Sequence, residues 1–302
     1  MRVLVTGAGG FVGRHVLHEL TAHGHEAFGI DLDNTGNSLA PGHSFTGCIT
    51  DAGFLSKVVT DITPNACIHL AGVAFAGGWN PELVLKTNIQ GTTTVLETFR
   101  LSHPSARILS VSSAHVYGMK ARSAPIREDD PPNPDTIYAI AKTAADRIAL
   151  LYARQFGLNV MVARPHNHIG PGQSPQFAIP SFARQVKAIS QGASPVIKTG
   201  NLDNHRDFTD VRDIARAYRL LLEKGRSGQA YNVSSGREVR LGDILDRLCQ
   251  LGRIHPDIVR DETLYRPRDQ NPVLDTSRIR NDTGWAPTIP LDQTLSDILD
   301  TL

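Results

Sequence analysis

"VTGAGGFVG", residues 5–13, decides the fold. It joins an apolar run, "RVLV" (2–5), to an apolar-periodic stretch, "FVGRHVLHELTAHG" (11–24). The first reads as a buried strand and the second as an amphipathic helix stopped by Gly24. Gly7, Gly10 and Gly13 form G-x-x-G-x-x-G across the junction. In a strand-to-helix turn of this kind the first glycine permits the tight bend. The second lets the backbone approach a pyrophosphate, and the third lets the helix pack on the strand. Phe11 and Val12 open the helix, where unpaired N–H groups favour a phosphate. An ordinary βα turn can also hold glycines, but three at this spacing between a strand and a helix read as a dinucleotide loop.

Outward from this loop the chain alternates. "EAFGID" (26–31), "ACIHLAG" (66–72), "ARILSVSS" (106–113), "NVMVARP" (159–165) and "QAYNVSS" (229–235) read as strands, several with the near-continuous apolar character of a sheet buried on both faces. Between them, "PELVLKTNIQGTTTVLETFRLS" (81–102) reads as one long helix. "DTIYAIAKTAADRIALLYARQFG" (135–157) reads as a helix with Asp135 at its N-cap and Gly157 just past its end. "TDVRDIARAYRLLLEKG" (209–225) reads as a helix capped by Asp210. The expected fold is α/β, a Rossmann-type doubly wound parallel sheet with a smaller, discontinuous C-terminal substrate domain. Residues 1–165 plus 206–235 form the dinucleotide-binding domain in this reading. Residues 166–205 plus 236–302 form the substrate domain, and its loop "HNHIGPGQSPQFAIP" (166–180) is a candidate functional loop.

Composition narrows the function classes. The 302 residues are 40% hydrophobic and carry a formal net charge of +1. That supports a sizeable core but no strong field for nucleic acid or anionic lipid. Neither nucleic acid nor membrane is an expected partner, and no apolar run suits a membrane span. The chain enters a strand at once rather than a signal peptide. Cys48, Cys67 and Cys249 are an odd, scattered set and read as buried free thiols in a reducing compartment, so the expected location is cytoplasmic. His166 and His168 lack an evident carboxylate or thiolate partner, so a loop role is expected and no metal site.

Asp31 ends the second strand, where a carboxylate accepts from the adenosine ribose and repels a 2′-phosphate. It favours NAD(H) over NADP(H), with Asp33 as a second candidate for that position. Asp51 follows "TGCIT" (46–50) and serves equally well as an adenine neighbour or as a helix cap. Ile49, Leu70, Ala71 and Pro165 are further candidate cofactor contacts near the strand ends.

Tyr138 and Lys142 in "YAIAK" are four apart and share a helix face. A nearby ammonium stabilises phenolate and is expected to lower the Tyr138 pKa, which makes it a usable acid/base. "VSSAHVYG" (111–118) ends a strand at its carboxyl edge and brings Ser112, Ser113, His115 and Tyr117 to the ligand side of an open sheet. Nucleophilic hydrolysis is disfavoured because nothing resembles G-x-S-x-G.

These motifs, with "KTNIQGT" (86–92) and the tail "TGWAPTIPLDQTL" (283–295), resemble the extended short-chain dehydrogenases/reductases of the NAD-dependent epimerase/dehydratase family that act on nucleotide sugars. The resemblance covers nearly the whole chain. It implies Ser113, Tyr138 and Lys142 as the catalytic set, Asn88 as support for the cofactor region, and a homodimer built on the 83–101 and 135–156 helices. Within the family the stretches "NHIGPGQSPQFAIPSFARQ" (167–185) and "YRPRDQNPVLD" (265–275) look most like GDP-4-keto-6-deoxy-mannose reductases, which form GDP-rhamnose. That likeness implies a GDP-linked sugar, with Asn167 at the sugar or pyrophosphate. It also implies Arg206 and Arg266 on the diphosphate, and Asp269 on the nucleotide ribose. The surface alternative for each arginine is a salt bridge. Where related dehydratases place a Glu, this chain has His115, which reads equally as a wall of the sugar pocket or as packing. A 4-epimerase with retained NAD is the alternative activity. A non-catalytic nucleotide sensor is the alternative from another class, and the intact Ser–Tyr–Lys set argues against it.

Overall fold

The computed structural model describes residues 1–33, 39–40, 42–73, 80–118, 124–265 and 273–302. Its centre is a seven-stranded parallel sheet. Strands β1 (Arg2–Thr6), β2 (Glu26–Asp31) and β3 (Ser44–Thr46) run outward from the middle on one side. Strands β4 (Ala66–His69), β5 (Arg107–Val111) and β6 (Asn159–Pro165) run outward on the other. The far edge is a strand from late in the chain (Ala230–Val233), paired to β6. The strand order therefore reverses between β1 and β4, and an open parallel sheet binds ligands at the carboxyl ends beside such a switch point.

Apolar side chains fill both faces of this sheet. One face carries α1 (Phe11–Ala22), whose Val16, Leu17 and Leu20 pack against Val3, Val5 and Ile68. The other face carries α2 (Ala52–Ile62), whose Leu55, Val58, Val59 and Ile62 recur at helical spacing and pack with Leu4, Cys67 and Ile108. Fully burying one such aliphatic side chain contributes about 1.5–3 kcal/mol.

The stretch 81–102, expected as one helix, is helical throughout but not uniform. A short α3 (Pro81–Leu85) passes into a π-turn (Lys86–Gly91) and then into α4 (Thr92–Ser102). The widened turn carries Asn88 and buries Gly91 against Ile49, and π-turns of this kind mark functional positions. Helix α5 (Ile137–Phe156) ends at Gly157 in the left-handed region, as expected, but its N-cap is Thr136 rather than Asp135. The Thr136 backbone is extended and its hydroxyl accepts from the Ala139 N–H at 3.1 Å.

The smaller body begins with β7 (Asn167–Ile169) and α6 (Ala178–Ser190). Ile179, Phe182, Ala183 and Val186 make one apolar stripe on α6 and meet Ile244, Leu245 and Leu248 of a later helix. Strand β8 (Val196–Thr199) belongs to this part, and β9 (His205–Asp210) pairs with β7. Asp210 caps α7 (Val211–Lys224), which returns to the large sheet. After β10 (Ala230–Val233) come β11 (Glu238–Arg240), α8 (Leu241–Gly252) and β12 (Asp257–Arg260). Next is α9 (Ser277–Thr283), and α10 (Leu291–Asp300) packs on α8. The segment around α9, assigned by sequence to the smaller unit, packs on the larger core instead. Ile279 and Trp285 join that core, and the Trp285 indole donates to the Asp213 carbonyl at 2.9 Å. Cys67 is buried and Cys249 half-buried, but Cys48 is exposed, which corrects the expectation of three buried thiols. Among the described residues no helix is long and apolar enough to cross a membrane.

Candidate active site

The glycine loop caps the carboxyl end of β1. Gly7 holds φ +73°, and a Cβ there would lie 2.9 Å from the Ala71 nitrogen. At Gly13 a Cβ would overlap the Gly7 carbonyl and sit 2.7 Å from the Ala8 oxygen, so only glycine lets α1 approach this closely. Gly10 is the N-cap of α1 and no side chain caps that helix, so Phe11 and Val12 open it with their N–H groups facing the loop. Asp31 stands beside the loop as expected. Its Oδ2 accepts from the Gly9 N–H at 2.8 Å and its Oδ1 from the Leu32 N–H at 2.7 Å. The carboxylate thus braces the loop and is held in place at the end of β2.

Of the two readings of Asp51, the cap is what the structure shows: it accepts from the Phe54 N–H at 3.0 Å and starts α2. Ile49 is buried against Gly91. Leu70 donates to the Thr6 carbonyl and Ala71 to the Thr6 hydroxyl, each at 3.2 Å, so both flank the switch point. Pro165 ends β6 opposite Val233. Asn88 is buried, and its amide donates to the Val73 carbonyl at 3.1 Å. Its Oδ1 has no partner among the described residues. The uncapped helix, the anchored carboxylate and this orphaned amide oxygen fit a dinucleotide: its pyrophosphate would lie at Phe11 and Val12 and its ribose at Asp31.

Ser113 and Tyr138 meet across the site. Ser113 follows β5, is buried, and accepts from the His115 N–H at 3.2 Å as the cap of a 3₁₀ turn (Ala114–Tyr117). Its hydroxyl lies near the Tyr138 phenol, close enough to lower the phenol's pKa. Ser112 instead donates to the Lys142 carbonyl at 3.4 Å, so the two neighbouring serines divide their work and Ser113 alone faces the phenol. Lys142, one turn beyond Tyr138, donates to the Val111 carbonyl at 2.9 Å.

The expected lowering of the Tyr138 pKa by Lys142 does not appear. Burial pushes the phenol up, and the nearby Ser113 hydroxyl offsets this only in part. The reason is geometric: the Lys142 ammonium is turned to the Val111 carbonyl, and desolvation dominates both groups. Burial brings Lys142 itself down to about 8. The His115 ring stands edge-on to Tyr138, 5.8 Å between centroids, and so borders the phenol. Tyr117 is ruled out as a rival. Its hydroxyl is buried, donates to Asn232 Oδ1 at 2.8 Å and accepts from Arg164 at 2.7 Å, and Arg164 is locked in turn to Asp146.

The loop after β6 faces the same site. His166 Nδ1 accepts from both the backbone and the side-chain amide of Asn167, which also reaches the Asp207 carbonyl. His168 stacks on Phe11, and His15 of α1 contacts the Pro171 carbonyl at 3.1 Å. Arg14 donates to the Gly9 and Gly172 carbonyls, each at 3.2 Å, and so ties the glycine loop to this second loop. Arg206 is on β9 and donates to the His205 carbonyl at 2.8 Å. Arg266 and Asp269 lie outside the described residues. Sequence reasoning missed Arg14, Thr6, His69 and Thr92. Only His69 left a signal, an imidazole inside the otherwise apolar "ACIHLAG".

Known proteins match the chain over most of its length. Residues 3–234 match the model of the NAD dependent epimerase/dehydratase family. The chain is 35% identical to a GDP-6-deoxy-D-mannose reductase of Pseudomonas aeruginosa, over 99% of this chain and 96% of that one. A solved structure of RMD from the same organism, complexed with NADPH, superposes with a TM-score of 0.87 at 32% identity, covering 100% and 98% of the two chains. A UDP-glucose 4-epimerase of Thermus thermophilus in complex with NAD superposes at 0.86 with 25% identity, covering 100% and 98%.

Proposed function

The chain belongs to the NAD dependent epimerase/dehydratase family, and we propose that it reduces a nucleotide-activated 4-keto-6-deoxy sugar of the GDP-4-keto-6-deoxy-mannose type. It is an NAD(P)-dependent oxidoreductase of the short-chain dehydrogenase/reductase type. The observation that carries the reading is the gathering of Ser113, Tyr138 and Lys142 at the carboxyl end of β5, where Lys142 of α5 reaches the Val111 carbonyl and Ser113 lies near the Tyr138 phenol.

When bound, the nicotinamide supplies the hydride that reduces the C4 ketone. The residues of the chain do the rest. Ser113 hydrogen-bonds the ketone oxygen and fixes its place, and Tyr138 gives that oxygen its phenolic proton. Lys142, charged below about pH 8, stabilises the phenolate that remains. Asn167 and Arg206 hold the sugar and diphosphate, with Arg266 and Asp269 completing the nucleotide end. Asp31 favours NAD(H), because an anchored carboxylate repels a 2′-phosphate.

Elimination of water at C5–C6 needs a further acid or base beside the sugar. Residues 110–118 offer no carboxylate, only His115 against the phenol. His115 therefore walls the sugar pocket, and the reaction is simple transfer at C4. Epimerisation at C4 with retained NAD is the second reading, favoured by the likeness to the Thermus enzyme. The exposed apolar side chains Leu83, Leu85, Ile140, Leu151 and Phe156 on α3 and α5 support a homodimer through these helices. The three free cysteines support a location in the reducing cytoplasm.

The test is incubation with NAD and either GDP-mannose or dTDP-glucose, with products followed by mass. No product lighter by one water is expected. Its appearance would make the chain a dehydratase with a histidine in place of the acid.

A further inference from the structure

One buried titratable group takes no part in this chemistry. His69 ends β4 next to Thr6 of β1 and Ser110 of β5, at the switch point. It is 3% exposed, and burial together with the nearby Lys142 ammonium pushes it down to about 3. The ring is therefore neutral at any working pH and carries one proton, so which nitrogen holds that proton matters.

The neighbours decide it. Thr92 donates its only hydroxyl proton to the Asn88 carbonyl at 2.7 Å. At 3.0 Å from His69 Nε2, the Thr92 oxygen can then only accept, so Nε2 carries the proton. His69 Nδ1 must accept, and its partner at 2.7 Å is the Thr6 hydroxyl, which itself accepts from the Ala71 N–H. One directional chain thus runs from the Ala71 N–H through Thr6, His69 and Thr92 to the Asn88 carbonyl. It crosses from the sheet to the π-turn and ends on the residue whose Oδ1 is buried without a partner. That oxygen and the Lys142 ammonium both border the space above Gly72, where a Cβ would strike the one and lie 3.4 Å from the other.

We propose that His69 is a positioning residue: through Thr92 it sets the backbone of Asn88, and so holds the Asn88 amide oxygen beside Lys142 at the dinucleotide end of the site. It touches neither substrate nor cofactor. A chain whose inner members, here Thr6, His69 and Thr92, each both donate and accept is mutually polarised, and removing one link frees the rest to turn. The inference rests on the dinucleotide-site reading above.

The experiment measures NADH binding by fluorescence, without any sugar. His69→Leu keeps the volume but cannot donate or accept, and is expected to weaken NADH by about tenfold, the scale of one lost buried link. His69→Gln, whose amide carries an acceptor and a donor spaced much like the ring nitrogens, should recover most of that affinity. Thr92→Val cuts the same chain without touching the sheet and should reproduce the loss, with Thr92→Ser restoring it. This pair decides the question if His69→Leu fails to fold. In an Asn88→Ala background, His69→Leu should add little, because the group it positions is gone.

Additive losses in that cycle would overturn the proposal, as would equal NADH affinity in Thr92→Val and wild type. Equal losses in His69→Gln and His69→Leu would also overturn it, showing a packing role only. A wild-type chain that binds NADH but turns over no nucleotide sugar would defeat the functional reading and leave this one standing. A wild-type chain that binds neither NADH nor NADPH would defeat both.

Discussion

Replacing Gly13 by Ala adds one methyl at the tightest point of the glycine loop. That methyl would overlap the Gly7 carbonyl and stand 2.7 and 2.8 Å from the Ala8 oxygen and carbonyl carbon. All three are backbone atoms, so no side chain can rotate away, and either α1 lifts from β1 or the loop shifts. Overpacking by one methyl costs about 1–3 kcal/mol, and obstruction by two backbone carbonyls places this case at about 3. For a chain of this size about 3 kcal/mol lowers Tm by roughly 5 °C. The displaced loop also misaligns the N–H groups of Phe11 and Val12. Losing one such charge-assisted bond costs about 1.5–3 kcal/mol, or at least tenfold in dinucleotide affinity.

Gly10→Ala is the internal control. Its added methyl meets only the Gly7 oxygen, at 3.2 Å, and should cost well under half as much in Tm. Thermal melts of the two variants, each with and without NADH, make the comparison. A Gly13→Ala protein that melts and binds NADH like wild type, or no better-behaved Gly10→Ala, would refute the close-packing argument.

Three other outcomes follow. Tyr138→Phe keeps the ring that packs against His115 but removes the proton donor, so turnover should fall on the order of a hundredfold or more with Tm nearly unchanged; rates near wild type in the folded variant would discard the proton-transfer role. Turnover should also fall as pH rises through about 8, because burial has lowered Lys142 from its ordinary value and the ammonium is lost there; stability should rise over the same interval toward pH 10.5, since the unfolded chain still binds the proton that the folded one has released. A rate that stays flat to pH 10 would show that Lys142 is not needed in its charged form. Asp31→Asn should narrow the gap between NADH and NADPH affinities, because it removes the charge that opposes a 2′-phosphate, and an unchanged ratio would mean the carboxylate serves only the Gly9 and Leu32 N–H groups.

The parts of this site that rest on short spans of chain were legible in the sequence. A strand, three glycines and a helix are contiguous, and Tyr138 and Lys142 are neighbours on one helix face. What depends on distant segments meeting was not legible. The His69 chain needs β1, β4 and the π-turn in one place, and nothing in "ACIHLAG" says which hydroxyls will flank the ring. The docking of Trp285 onto α7 is likewise long-range, and it moves the segment around α9 to the larger core. The Tyr138 error was one of balance: spacing puts an ammonium nearby, but only the folded chain shows that it faces Val111 while burial acts on the phenol. Asp51 was left open because a cap and an adenine neighbour occupy the same strand end; the contact with Phe54 shows the cap, which leaves room for an adenine contact as well.

The proposed reaction is hydride and proton transfer at C4 of a GDP-linked 4-keto-6-deoxy sugar. The most direct measurement adds GDP-4-keto-6-deoxy-mannose to the enzyme with NADH or NADPH and follows loss of the reduced cofactor at its absorbance band, with the product read by mass and NMR. One reduced cofactor should be consumed per sugar, giving a product heavier by two hydrogens with a C4 hydroxyl, and turnover should be faster with NADH. A sugar returned inverted at a carbon with no cofactor consumed, or no consumption with this or with UDP- and dTDP-linked counterparts, would contradict it.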